Sequence, residues 1–175
     1  MAIAIDATVG GASSNSFATL AEADAFMEGR LNASTWETDA ADDTKRRALV
    51  EATRWLDRLW WIGLRADGTQ ALSWPRQDAI NPDSPTSQFY ATNEMPQRVK
   101  DATMELAFQF VKAGTTDVAA LDSARNVKRK KVDVLETEYM DSHSRVSGLA
   151  LYPSVTRHLS GLLVGNAYTL PTVHG

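Results

Sequence analysis

The 175-residue chain has no cysteine, which excludes disulfides, thiolate nucleophiles and thiolate metal sites together. Its three histidines, His143, His158 and His174, are too scattered to suggest a metal cluster. No apolar run approaches the ~20 residues that span a bilayer. Residues 1–12 lack a basic stretch followed by an apolar core, so no signal peptide is expected. Cations are not in excess either. Eighteen Lys and Arg stand against 22 Asp and Glu, a formal net charge of −4, so no overall field draws the chain to nucleic acid or to an anionic membrane. Gly-rich phosphate loops, HExxH pairs and paired-carboxylate signatures are missing. Ser142-His143-Ser144 sets a histidine among hydroxyls with no carboxylate spaced to orient it. An enzyme is therefore not expected, and no cofactor or metal is implied. What is present, 43% hydrophobic and 23% charged residues, suits one globular domain with a real core.

Residues 2–5 offer a short edge strand ahead of the Gly10–Ser14 loop. Thr19 followed by Glu22 fits a capping box, in which each side chain satisfies an orphan backbone N–H of the other. Leu20, Ala23, Met27 and Leu31 recur at three- and four-residue spacing and predict a helix over about 20–31. A polar connector carrying Trp36 follows. Asp42, Asp43 and Thr44 then supply the acidic and capping groups of a second helix, about 44–61; this helix-start role is preferred to a metal site. Ala48, Leu49, Ala52, Trp55, Leu56 and Leu59 form its buried face, with Arg46, Arg47, Glu51, Arg54 and Arg58 opposite. Trp61 falls off the stripe: either the helix has ended or an aromatic faces a partner.

Gly63 is a plausible helix C′ residue and Ala66-Asp67-Gly68 reads as a turn. The next thirty residues hold Trp74-Pro75, Asn81-Pro82 and Ser84-Pro85, yet Leu72, Trp74 and Ile80 need burial. The segment therefore reads as a long ordered loop of functional kind. Pro96 suits the first position of a third helix, about 96–112. That helix is apolar on two sides, Val99, Ala102, Thr103, Leu106 and Phe110 on one, Met104, Phe108 and Val111 on the other. Such a helix is central to its domain or shared with a neighbouring subunit. Residues of about 125–140 are β-like, with a parity switch near Asp133 that implies a bulge or hairpin turn. Val155, Leu159 and Leu162 stripe a last helix, about 153–163, and residues 164–175 read as an extended tail. The expected fold is mainly α: a small helical bundle over 1–163 with a minor β-hairpin or strand element, followed by an extended C-terminal arm.

The basic run Arg125, Lys128, Arg129, Lys130 and Lys131 has three readings: a phosphate-contacting strip, an exposed strand blunted by lysines, or a contact for an acidic protein surface. Asp133, Glu136, Glu138 and Asp141 balance it nearby. Of the five tryptophans, Trp55, Trp60 and Trp61 belong to the second helix or its end and read as core or subunit contacts rather than base-stacking platforms. Trp74, beside Pro75 and Arg76, reads equally well as the anchor of a loop.

Four segments in order, Ser14–Asp24, Ala52–Asp57, Gln70–Arg76 and Met95–Thr103, resemble a family of small tailed-phage proteins. The family goes under the label DnaT-like single-stranded-DNA binding, and its architecture is similar to that of head-completion, or head–tail connector adaptor, proteins. The resemblance covers about residues 1–140. Leu72-Ser73-Trp74-Pro75-Arg76 and the Pro-initiated third helix are its most specific parts, while residues 141–175 carry no matching motif. It implies a structural virion protein, made in the bacterial cytoplasm and located at the head–tail junction. There it would form a homo-oligomeric ring, commonly twelve-fold, beneath the portal protein, extend the channel for packaged double-stranded DNA and dock a tail or nozzle protein. No membrane partner is implied. Ring interfaces are heterologous and need two different patches per subunit. The candidate subunit or portal contacts are Trp61, Trp74, Arg76, Met104, Phe108, Leu170 and Val173. Lys128, Arg129, Lys130 and Lys131 are candidates for the DNA channel or an acidic partner. The uncharged tail would order on the portal or a tail protein. The alternative is a single-stranded-DNA-binding accessory protein, which would need a basic groove with exposed aromatics.

Overall fold

Thr19 and Glu22 form the capping box that their spacing predicts. The Thr19 side chain accepts from Glu22 N–H at 3.2 Å, and the Glu22 carboxylate accepts from Thr19 N–H at 2.8 Å. A computed structural model describes residues 3–114, 129–132, 135–138 and 152–164, and statements of absence below concern these residues. The box opens helix α1, Leu20–Glu28. Lys100 donates to the same carboxylate at 2.6 Å and ties α1 to the third helix. Burial works against ionisation of Glu22, but the bonds from Lys100 and Thr19 outweigh it and hold its carboxyl below the ordinary value. The helix stops three residues before the expected end. Gly29, a poor helix former, caps it, and Leu31 is 88% exposed beyond the stripe it was expected to complete.

Trp36 is fully buried in a π-helical turn, Thr35–Asp39, within the polar connector. Its indole N–H donates to Asp24 at 2.9 Å, and Lys45 reaches the same carboxylate oxygen at 3.1 Å while lying 5.6 Å from the indole ring. One aspartate thus satisfies a buried indole and a buried ammonium together.

Helix α2, Asp42–Asp57, has the acidic first turn read from the sequence but ends four residues before 61. Trp61 has left the helix and turns back, its indole donating to the Leu56 carbonyl at 3.2 Å. Gly63 is correspondingly not a helix cap; it takes φ +71° in the turn before a short ladder. That ladder, β1 (Leu64–Arg65) with β2 (Arg76–Gln77), is antiparallel with Arg65 opposite Arg76. Two residues per strand give no readable alternation, so the sequence carries no sign of it.

Helix α3, Gln97–Ala113, resolves the two-faced pattern in favour of the centre of the domain. Val99, Ala102, Leu106 and Phe110 are buried on one side, and Met104 and Phe108 on the other. It packs against α2 and against α4, Pro153–His158. Pro96 is its N-cap rather than its first residue, and Gly114 closes it in the left-handed conformation. Glu105, 1% exposed, sits on this central helix and is held by Arg30, whose Nη2 donates at 3.0 Å, and by Gln109 at 2.9 Å. Arg30 also lies 4.8 Å from the Phe108 ring.

Residues 3–8 are not a strand. Asn15 bonds Asp6 N–H and the Ala4 carbonyl, each at 2.9 Å, and Asp43 accepts from Ile3 N–H at 3.1 Å, so side chains replace a ladder there. In the β-like segment, β3 (Arg129–Val132) pairs antiparallel with β4 (Leu135–Glu138), Val132 opposite Leu135. The fold is mainly helical, as expected, with two small antiparallel ladders. Residues 165–175, most of the expected arm, lie outside the described residues.

Candidate docking surface

The segment between α2 and α3 is ordered by four polar side chains and an aromatic stack. Arg76 donates through Nε to the Ile62 carbonyl at 2.6 Å, through Nη2 to Gly63 at 2.6 Å and through Nη1 to Ser73 at 3.1 Å. Its pKa lies below the usual guanidinium value, through burial first and then Arg65, with Asp57 opposing. Arg65 holds the carbonyls of Gln70 at 2.5 Å and Leu72 at 3.1 Å. Gln70 is buried, accepts from Asp67 N–H at 2.9 Å and donates to Leu72 and Pro75. Asp57, at the end of α2, accepts from Ser73 N–H at 2.6 Å and so anchors the loop to the helix. Trp74, whose peptide bond to Pro75 is cis, is 1% exposed. It stands edge-on to Trp61 and to Tyr90, each ring centroid 5.7 Å away.

Around this clamp, three segments join into one layer. Residues 60–62 pair with 162–164, since Ile62 N–H donates to Leu162 at 3.0 Å and Val164 N–H to Trp60 at 2.7 Å. Ile80 bridges Phe89, and Pro82 lies close to Gly161. Arg98 donates to the Ser160 carbonyl at 3.1 Å while ion-pairing with Asp83. The layer exposes large apolar side chains: Trp60 at 59% and Val164 at 57%, with Leu64, Ile80 and Phe89.

The structure therefore redistributes the expected contacts. Trp61, Trp74, Met104 and Phe108, offered as candidate subunit or portal contacts, are buried in the core of this chain, and Arg76 is occupied by backbone carbonyls. The exposed neighbours Trp60, Leu64, Ile80, Phe89 and Val164 are what the layer presents. Ile80 was expected to be buried and is 53% exposed, Trp60 was read as a core or subunit contact, and Leu64, Phe89 and Val164 were not singled out, because side is assigned by the loop's pairing and not by a helical stripe. Leu170, Val173 and Lys128 lie outside the described residues.

The described cations are largely engaged. Arg30, Lys45, Arg46, Arg47, Arg54, Arg98 and Lys100 each pair with a carboxylate. On β3 the register sets Arg129 opposite Glu138 and Lys131 opposite Glu136, with Lys130 opposite Thr137. A groove of about 720 Å³ between α2 and α3 has Phe110 and Val111 beside Asp43, Arg47 and Glu51. Its Arg47 is already 2.7 Å from Asp43. Among the described residues no group of three or more His, Asp or Glu could hold a metal ion, and no helix is long and apolar enough to cross a membrane.

This is a small, mainly helical domain whose interhelical loop is clamped into an apolar-edged layer. Over residues 1–175 the chain matches the family described as "Putative DnaT-like ssDNA binding protein", and it belongs to that family. No curated protein and no solved structure matches it.

Proposed function

We propose that the chain is a structural head-to-tail connector, or adaptor, protein of a tailed bacteriophage. It forms a ring beneath the portal protein, extends the channel for packaged double-stranded DNA and docks tail components. The observation that carries this reading is the division of labour on the surface. Five large exposed apolar side chains lie on the clamped loop layer, whereas seven of the described cations are paired with carboxylates of the chain. A surface of that kind favours protein partners over phosphate. The sequence resemblance to connector adaptors points the same way. Non-catalytic service in the virion follows from the reading, with no cofactor.

The second reading, single-stranded DNA binding, is favoured by the family's description. It needs exposed aromatics beside free cations. Trp60 is exposed, but Trp36, Trp61 and Trp74 are buried, and the register sets the cations of β3 opposite glutamate positions at two of three places. Binding of labelled oligo-dT, followed by fluorescence anisotropy, separates the two. Only weak binding is expected at ~150 mM salt, and replacing Lys128, Arg129, Lys130 and Lys131 by alanine should change it little. Nanomolar affinity at that salt, abolished by the quadruple substitution, would establish the DNA-binding reading instead.

A further inference from the structure

The bridge between Trp61 and Leu163 determines which backbone groups of the layer face outward. The bonds from Ile62 N–H to Leu162 and from Val164 N–H to Trp60 flank the bridged pair. In an antiparallel ladder this makes Trp61 and Leu163 the non-hydrogen-bonded pair, so the Leu163 N–H and C=O point away from Trp61. Neither has a partner among the described residues. Leu163 is therefore an open edge position, in a segment 162–164 that carries neither Lys nor Pro, and it lies beside the exposed side chains of Trp60 and Val164. Open apolar edges invite a further strand.

We infer that this edge receives, as an added strand, part of residues 165–175 of a second copy of the chain. That segment contains no Asp, Glu, Lys or Arg, so its burial removes no charged side chain from water. It supplies Ala167, Tyr168 and Leu170 before Pro171, which lacks an N–H and ends any ladder. It also begins at the edge itself, directly after Val164. The same chain's tail is poorly placed to fold back. A two-residue turn at Gly165-Asn166 would make Val164 the hydrogen-bonded residue beside the turn, with its N–H facing the returning strand. That N–H is already given to Trp60 at 2.7 Å. A tail that reaches the next copy instead makes a head-to-tail contact, the kind that closes rings. The inference deepens the connector reading and rests on it for ring closure.

Because the chain has no cysteine, single cysteines can test the contact without background. Full-length Val164→Cys is mixed, in the presence of the portal protein on which the ring is expected, with full-length Ala167→Cys, Tyr168→Cys, Thr169→Cys or Leu170→Cys, one partner isotope-labelled so that mass identifies heterodisulfides. These are necessarily intermolecular. Under mild oxidation the tail positions of one parity should cross-link about tenfold faster than a Leu31→Cys control, reflecting a raised local concentration and strand alternation. Leu31 is a suitable control because it is highly exposed. Rates no faster than the control at every tail position overturn the inference, whether the tail lies on its own chain or on another protein. Rings that still assemble on the portal in that case would leave the connector reading standing; loss of both would end the two together.

Discussion

Replacing Trp74 by alanine should lower the unfolding free energy by about 3–5 kcal/mol, the range for deleting a fully buried aromatic side chain. Thermal unfolding followed by circular dichroism should then shift down by roughly 10 °C, at 2–4 °C per kcal/mol for a domain of this size. The reason is position. Trp74 is buried between Trp61 and Tyr90, and its loss leaves both rings facing a void. Trp74→Phe should recover part of the loss, since a smaller ring still meets one neighbour. A shift of a degree or less for the alanine variant would mean that the loop is not part of the core.

Gly63→Ala is expected to be the second costly change although it adds one methyl group. Gly63 has φ +71°, and a Cβ there would stand 2.4 Å from the Gln77 carbonyl oxygen and 2.8 Å from Ala79 N. The left-handed conformation alone costs about 1–3 kcal/mol for such a residue. The clash adds to this because both obstacles are backbone atoms, Gln77 held in the ladder and Ala79 by the bond of its carbonyl to Tyr90 N–H. The denaturant midpoint should fall clearly, whereas Gly68→Ala, with nothing within 4 Å of its new methyl, should stay within about 1 kcal/mol of the parent. Equal midpoints for the two variants would refute the assigned packing at Gly63.

These two positions mark where the sequence is legible and where it is not. The Thr19–Glu22 box and the acidic start of α2 are local devices, so spacing alone locates them. The two-faced pattern of α3 likewise announced a central helix, though only packing distinguished the core from a subunit contact. The helix ends were less readable: Leu31 and Leu59 continue the apolar stripes after the backbone has left the helix at Gly29 and Arg58. Arg76 was singled out beside Trp74, but its partners lie up to 15 residues away and are backbone carbonyls, which leave no mark on residue type. The choice between Trp60 and Trp61 shows the same limit. The bridge to Leu163, about a hundred residues on, decides which indole is buried. Trp36 was placed in a polar connector, and its burial depends on Asp24 and Lys45 from two other helices.

The connector assignment turns on what the exposed layer of Trp60, Leu64, Ile80, Phe89 and Val164 binds. The most direct test is to mix the purified protein with the portal protein of the same phage, without nucleic acid, and to determine copy number by particle imaging and light scattering. The expected result is a ring of several copies seated on the portal, from a protein that alone is monomeric or weakly associated. A bare portal, together with nanomolar binding of the protein to oligo-dT at ~150 mM salt, would contradict it.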